Sequence, residues 1–282
     1  MTIPAPVARL AAAAVASCLL LVGGAASATA APSHSSDTDP MPYVVGGDPA
    51  DPERYAGFMA SLQMVNPETN EWMHVCAASV ISPWQVLTAA HCAPDLSAGQ
   101  AWRLVVGASV LPAGAPGERV QIRGLSASVS HPDFGWEGYD AAVLRLQSPL
   151  IDVQPVSLPT PGTDALLAPG SIATLIGWGA TDSDDEDGSL ILREVGLPIL
   201  SSGECALAGG AVFNPDSDMC AGKTGHSACY GDSGGPLFRT IGTTVYQIGI
   251  VSRGSITGCG QTGNPTIFTY TGSEAIRSGL DF

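Results

Sequence analysis

The sequence predicts a mostly β protein. Its 34 glycines and 22 prolines punctuate the whole chain. Between them stand short runs rich in Val, Ile and Leu: R-L-V-V-G at 103–107, A-T-L-I-G-W-G at 173–179 and Y-Q-I-G-I-V-S at 246–252. Runs of that length, rich in β-branched residues and bounded by turn formers, read as strands rather than long helices. With 282 residues and 45% hydrophobic content, the chain can bury one large core or those of two fused small domains.

Residues 1–30 carry a single charge, Arg9. An apolar stretch from Leu10 to Ala26 and the small-residue run Ala28-Thr29-Ala30 follow. This is the n-region, h-region and cleavage-site pattern of a secretory signal peptide, so a secreted, extracellular protein is expected; the apolar run is too short to span a bilayer comfortably. Val15-Ala16-Ser17-Cys18 resembles a lipoprotein cleavage box, but Leu19 to Val22 continue the apolar run past the cysteine, which argues against a tether. Residues 31–43, A-P-S-H-S-S-D-T-D-P-M-P-Y, are polar and proline-rich and read as a propeptide. From Val44 onward there is no linker and no repeat of solenoid length. The proline-rich stretch Gln154 to Gly170 is the best boundary between two β-rich halves. The final S-E-A-I-R-S-G-L is the one convincing helical stretch, with Ser273 as its N-cap.

Losing residues 1–43 removes Arg9, Asp37 and Asp39, leaving 10 basic against 24 acidic residues, a charge of −14. So acidic a surface repels nucleic acid and anionic membranes. Signal removal also takes Cys18 and leaves six cysteines: Cys76, Cys92, Cys205, Cys220, Cys229 and Cys259. In an exported protein, with no C-x-x-C or H-x-x-x-H pair, these are disulfides rather than zinc ligands. Cysteine order alone does not choose the pairing.

Gly231-Asp232-Ser233-Gly234-Gly235-Pro236 is the sharpest motif. A serine hydroxyl becomes a nucleophile only when a base takes its proton and a third group orients that base. The string also fits G-x-S-x-G, the turn of α/β-hydrolases, in which the histidine follows the serine. Here His34, His74, His91, His131 and His226 all precede Ser233, which excludes that reading. His91 ends the strand-like run Leu87-Thr88-Ala89-Ala90, and Asp140 opens Ala141-Ala142-Val143-Leu144-Arg145-Leu146. The chain order is therefore His, Asp, Ser.

These pieces resemble the trypsin/chymotrypsin-like serine endopeptidases: V-V-G-G at 44–47, T-A-A-H-C at 88–92, D-A-A-V-L-R-L at 140–146, G-W-G at 177–179, G-D-S-G-G-P at 231–236 and G-I-V-S at 249–252. The resemblance implies two packed six-stranded antiparallel β-barrels with a short C-terminal helix. They form a protease domain at 44–282, its first barrel at about 44–155 and its second at about 165–270. It implies Ser233 as nucleophile, His91 as base and acid, Asp140 as the orienting carboxylate with Ser252 supporting it, and the N–H groups of Gly231 and Ser233 as an oxyanion hole. It pairs Cys76 with Cys92, Cys205 with Cys220 and Cys229 with Cys259. It makes the chain a zymogen, in which a cut between Tyr43 and Val44 frees an amine that pairs with Asp232.

Ser227, six residues before the nucleophile, is expected at the floor of the substrate pocket, with Ala228, Gly254 and Thr266 in its walls beside Ser252. With no acid at the floor, the pocket favours large apolar or aromatic residues over Lys or Arg. Arg253 stands where relatives commonly carry Trp. Protein or peptide substrates and proteinaceous inhibitors are the expected partners, without nucleic acid, membrane, metal or cofactor. The acidic run Asp182 to Asp187 approximates a calcium loop, but its place in the family pattern makes it a solvated loop, with Glu194 on the next strand. An inactive binding protein on the same scaffold is the alternative.

Overall fold

The computed structural model describes residues 44–282, apart from 136, 161, 162, 185–187, 209, 210 and 255–257. The expected signal peptide, the expected propeptide with Tyr43, and part of the acidic run lie outside the described residues.

Strands β2 (Met59–Val65), β3 (Trp72–Ser82), β4 (Gln85–Thr88), β5 (Trp102–Val106), β6 (Gln121–Arg123), β7 (Leu125–Ser130) and β8 (Ala142–Leu146) form one antiparallel sheet in the order β6-β5-β2-β3-β4-β8-β7. Its two ends, β6 and β7, are separated in sequence by Gly124 alone, so a single interrupted strand joins both edges. The sheet closes on itself as a six-stranded barrel, as expected. Closure removes the open edges that would otherwise invite pairing with other chains.

The second sheet runs β1-β10-β9-β12-β13-β14-β11. Its members are β1 (Asp48–Pro49), β9 (Ile172–Gly177), β10 (Arg193–Pro198), β11 (Asp218–Ala221), β12 (Pro236–Ile241), β13 (Thr244–Arg253) and β14 (Thr266–Tyr270). Here the barrel closes between β10 and β11 through an Ile199–Ala221 bridge and the N–H of Gly222 donating to Pro198 O at 3.1 Å. Strand β1 is a two-residue addition to β10, with Asp48 opposite Glu194. Residues 48–49, expected in the first half, thus belong by hydrogen bonding to the second. The chain crosses to its own half at Tyr55 and Phe58, whose rings meet Phe238 of β12 at 5.7 and 5.6 Å.

Ile176, Trp178, Phe238 and Ile250 of the second half bury their side chains in one cluster with Met59, Leu62, Leu87 and Leu144 of the first. Each such side chain contributes about 1.5–3 kcal/mol on burial. The seam between the barrels is therefore core, and rigid enough to hold a site built from both.

The C-terminal helix, Glu274–Gly279, is capped by Ser273, whose hydroxyl accepts from the Ile276 N–H. Among the described residues two further short α-helices occur. Pro52–Tyr55 starts on Asp51 and a proline, and Ser202–Leu207 carries a capping box between Ser201 and Glu204. The second was legible as S-x-x-E. Among the described residues no helix is long and apolar enough to cross a membrane.

Candidate active site

Strand β4 ends at Thr88, and a single 3₁₀ turn, Ala90–Cys92, then carries His91. The disulfide Cys76–Cys92 pins that turn to β3; closing a loop of this size contributes about 3 kcal/mol in the chain-entropy view. Asp140 sits just before β8, following Tyr139, whose φ is +59°. Asp140 is 4% exposed. Its Oδ1 accepts the backbone N–H of His91 at 2.9 Å, and its Oδ2 meets His91 Nδ1 at 2.7 Å. An ionised carboxylate can only accept, so Nδ1 carries the proton and Nε2 carries the lone pair. Ser252 of β13 donates to the same Oδ2 at 2.7 Å. Burial pushes the Asp140 carboxyl up, but the bonds from His91 and Ser252 outweigh it and hold the group below the usual range.

Ser233 comes from the loop before β12. Its carbonyl accepts the Ala77 N–H at 2.8 Å. Gly234 follows with φ +77°, and a Cβ there would lie 2.1 Å from Thr88 Oγ1 and 2.5 Å from Ala77 O. Only glycine allows so close an approach, and it brings the serine loop against the end of β4 that leads into His91. Gly231 has φ +91°, a conformation that glycine adopts without strain. Among the described residues, the N–H groups of Gly231 and Ser233 donate to no backbone acceptor, while their neighbours do: Asp232 to Cys229 O and Gly234 to Val251 O. The two free donors are disposed to receive an anionic oxygen.

His74, absent from the expected site, stands behind this pair. Its Nε2 lies 2.9 Å from Gly231 O and its Nδ1 2.8 Å from Ser61 Oγ. Since a carbonyl only accepts, Nε2 is the protonated nitrogen and the Ser61 hydroxyl donates to Nδ1. Burial pushes the imidazole down to about 4, the Gly231 bond opposing it, so the ring is neutral near pH 7.

A cavity of about 320 Å³ opens beside Ser233, lined by Ala228, Val251, Ser252, Arg253, Gly254 and Thr266 among others. Ser227 is not in the wall. It is 3% exposed, its hydroxyl donates to Ala228 O at 2.9 Å and its N–H to Val45 O at 3.2 Å. The expected floor residue is therefore spent on the backbone behind the pocket. Thr266 turns its Oγ1 to the Ala228 N–H at 3.0 Å, leaving a largely apolar surface. The disulfide Cys229–Cys259 ties this pocket's two sides together, and Cys205–Cys220 staples the helix Ser202–Leu207 to β11.

Asp232 is fully buried and accepts N–H bonds from Gly179 at 2.8 Å and Cys229 at 2.9 Å. Burial pushes its carboxyl up to about 7, the two N–H bonds opposing it. Val44 is also fully buried, at φ +45°.

Two metal readings find no support. Cys76, His91 and Cys92 cluster, but both sulfurs belong to one disulfide, which leaves no thiolate. Glu194 takes the Tyr55 hydroxyl, away from any role in the acidic loop, of which 185–187 lie outside the described residues.

Two barrels meeting on a His–Asp pair whose carboxylate is buried and whose imidazole reaches solvent, with a serine on a glycine turn from the second half, define a serine hydrolase of the double-barrel class. Residues 44–275 match the Trypsin family. The chain is 36% identical over 213 residues to a tryptase of Mus musculus, covering 70% of this chain and 75% of that protein. It is 32% identical over 228 residues to serine protease 28 of Mus musculus, covering 75% and 80%. The chain belongs to the trypsin family and is a serine-type endopeptidase.

Proposed function

We propose that this protein is a secreted endopeptidase, made as a zymogen, that cleaves after uncharged apolar or aromatic residues by way of an acyl-enzyme on Ser233. The two-point grip of Asp140 on His91, at 2.9 and 2.7 Å, carries this reading, because it leaves Nε2 basic and facing outward from the carboxylate. The Ser233 Oγ gives its proton to Nε2 as the oxygen bonds to the scissile carbonyl carbon. The carbonyl electrons move onto oxygen, which the N–H groups of Gly231 and Ser233 stabilise. Each such donor contributes on the order of 3 kcal/mol in the transition state. The C–N bond then breaks, the leaving amine takes the proton from His91, and water repeats the sequence to free Ser233.

Activation is assigned to the bond between Tyr43 and Val44. A cut there ends the left-handed φ at Val44, which is rare for a β-branched residue, and frees an amine for which the buried Asp232 is the proposed partner. The ion pair so formed would organise the Gly231 turn. Tyr43 is of the class that the apolar cavity accepts, so the enzyme activates itself. Expression of the Ser233→Ala precursor alone tests this: it stays uncut, whereas cleavage after Tyr43 would assign activation to another protease.

A further inference from the structure

Arg253, the residue before Gly254, lies in the wall of the cavity beside Ser233. A cation there suggests recognition of acidic substrates, but its bonds argue otherwise. Its Nε and Nη2 donate to Val212 O at 3.0 and 2.7 Å, Nη2 also bonds Asp218, and Nη1 donates to Ser252 Oγ at 3.0 Å. The guanidinium is 15% exposed and the Asp218 side chain not at all. A guanidinium engaged at each nitrogen and neutralised by a buried carboxylate has little left for a substrate.

The same bonds point inward. Ser252 Oγ receives an N–H from Arg253, so its own proton is free for Asp140 Oδ2 at 2.7 Å, and that oxygen holds His91 Nδ1. Asp218 is anchored by the Ser217 hydroxyl at 2.9 Å and the Asn214 N–H at 2.9 Å. Ser217 in turn accepts the N–H of Tyr139 at 3.2 Å, the residue next to Asp140. One buried carboxylate thus braces both the serine that feeds Asp140 and the loop that carries it.

We infer that Arg253 and Asp218 form a positioning ion pair behind the triad, which fixes the Ser252 proton on Asp140 and sets the proton affinity of His91. The inference rests on the triad reading above. The ionisable groups along this chain of contacts are His91, Asp140, Arg253 and Asp218. Tyr139 and His131, whose rings stack at 5.1 Å, lie on the Asp140 loop, and Ser217, Ser252 and Thr269, which donates to Asp140 O at 2.9 Å, do not titrate near neutrality. Arg253 is nearer the triad than Asp218 in this chain. Its charge opposes protonation of His91, and Asp218 damps that opposition.

The two members of the pair therefore act on His91 with opposite sign, which a purely structural contact would not do. The test is the acid limb of the kcat/KM profile, which reads His91, measured on mature enzyme normalised by titration with an irreversible serine-directed phosphonate. Arg253→Met raises the apparent pKa by about half a unit or more and Asp218→Asn lowers it by a similar amount. Both lower kcat about tenfold or more by releasing Ser252, with KM changed less. Arg253→Lys, which retains the charge and loses the fork, keeps the wild-type pKa while kcat falls, and serves if the Met variant does not fold. Unmoved pKa values in Arg253→Met and Asp218→Asn, or shifts of the same sign, overturn the inference while Ser233→Ala remains inactive. Turnover that persists in Ser233→Ala would instead overturn the triad itself, and this inference with it.

Discussion

His74 holds the carbonyl oxygen of Gly231 at 2.9 Å, and so fixes the Gly231–Asp232 peptide, which links the Gly231 turn to Ser233. That bond needs a proton on Nε2, which both ring forms carry, and it is burial that keeps the ring neutral. Folded His74 takes a second proton only near pH 4, whereas an unfolded histidine does so near pH 6.5. Its contribution is therefore complete above about pH 6.5 and lost as pH falls through about 4, worth on the order of 3 kcal/mol. In a Ser233→Ala background, which prevents autolysis, urea unfolding should show the advantage over His74→Gln shrinking by about that amount between pH 7 and pH 4. An advantage independent of pH would show that the ring only fills space.

Asp232 obeys the opposite sign. Its carboxyl is raised by burial to about 7, above the unfolded value near 3.8. In the uncut chain its favourable contribution is full below pH 3.8 and lost as pH climbs through 7, an amount on the order of 4 kcal/mol. Under the proposed activation, a freed Val44 amine paired with the carboxylate offsets this loss. The Ser233→Ala precursor, and the same protein cut by an added protease, should therefore have thermal midpoints that diverge by several degrees between pH 5 and pH 7.5. Midpoints that track one another across that range would exclude the Val44–Asp232 pair.

Thr266 lines the cavity beside Ser233 from β14, where its Oγ1 accepts the Ala228 N–H. Thr266→Gly deepens the cavity and releases that N–H. The ratio of kcat/KM for phenylalanine over alanine before the scissile bond should rise about tenfold, the size expected when an apolar pocket gains room for a large group. An unchanged ratio would place the limit on substrate size elsewhere in the wall.

The candidate catalytic residues were legible because each sits in a short local string whose chemistry is peculiar to it: T-A-A-H-C ending a strand, G-D-S-G-G-P on a turn that only glycine can make. The barrels' closure was less so. Gly124 joins both edges of the first, and the two-residue β1 pairs with Glu194 and Arg193, partners more than a hundred residues away that no local pattern announces. The hydroxyl of Ser227 donates to the Ala228 carbonyl and its N–H to Val45 O, bonds that its position in the string does not announce. Asp218 and the partner of His74 were missed for the same reason. Each acts on a residue from another strand, and a lone acid or histidine carries no signal of the carbonyl or cation it will meet.

The central claim is that Ser233 is the nucleophile activated by His91. It is tested most directly by treating the mature protein with a fluorophosphonate and reading the adduct by intact mass and peptide mapping, beside Ser233→Ala. The account predicts one adduct per chain, on Ser233, formed in step with the loss of peptide turnover, and neither adduct nor turnover in the variant. Stoichiometric labelling at another residue, or turnover retained by Ser233→Ala, would contradict it.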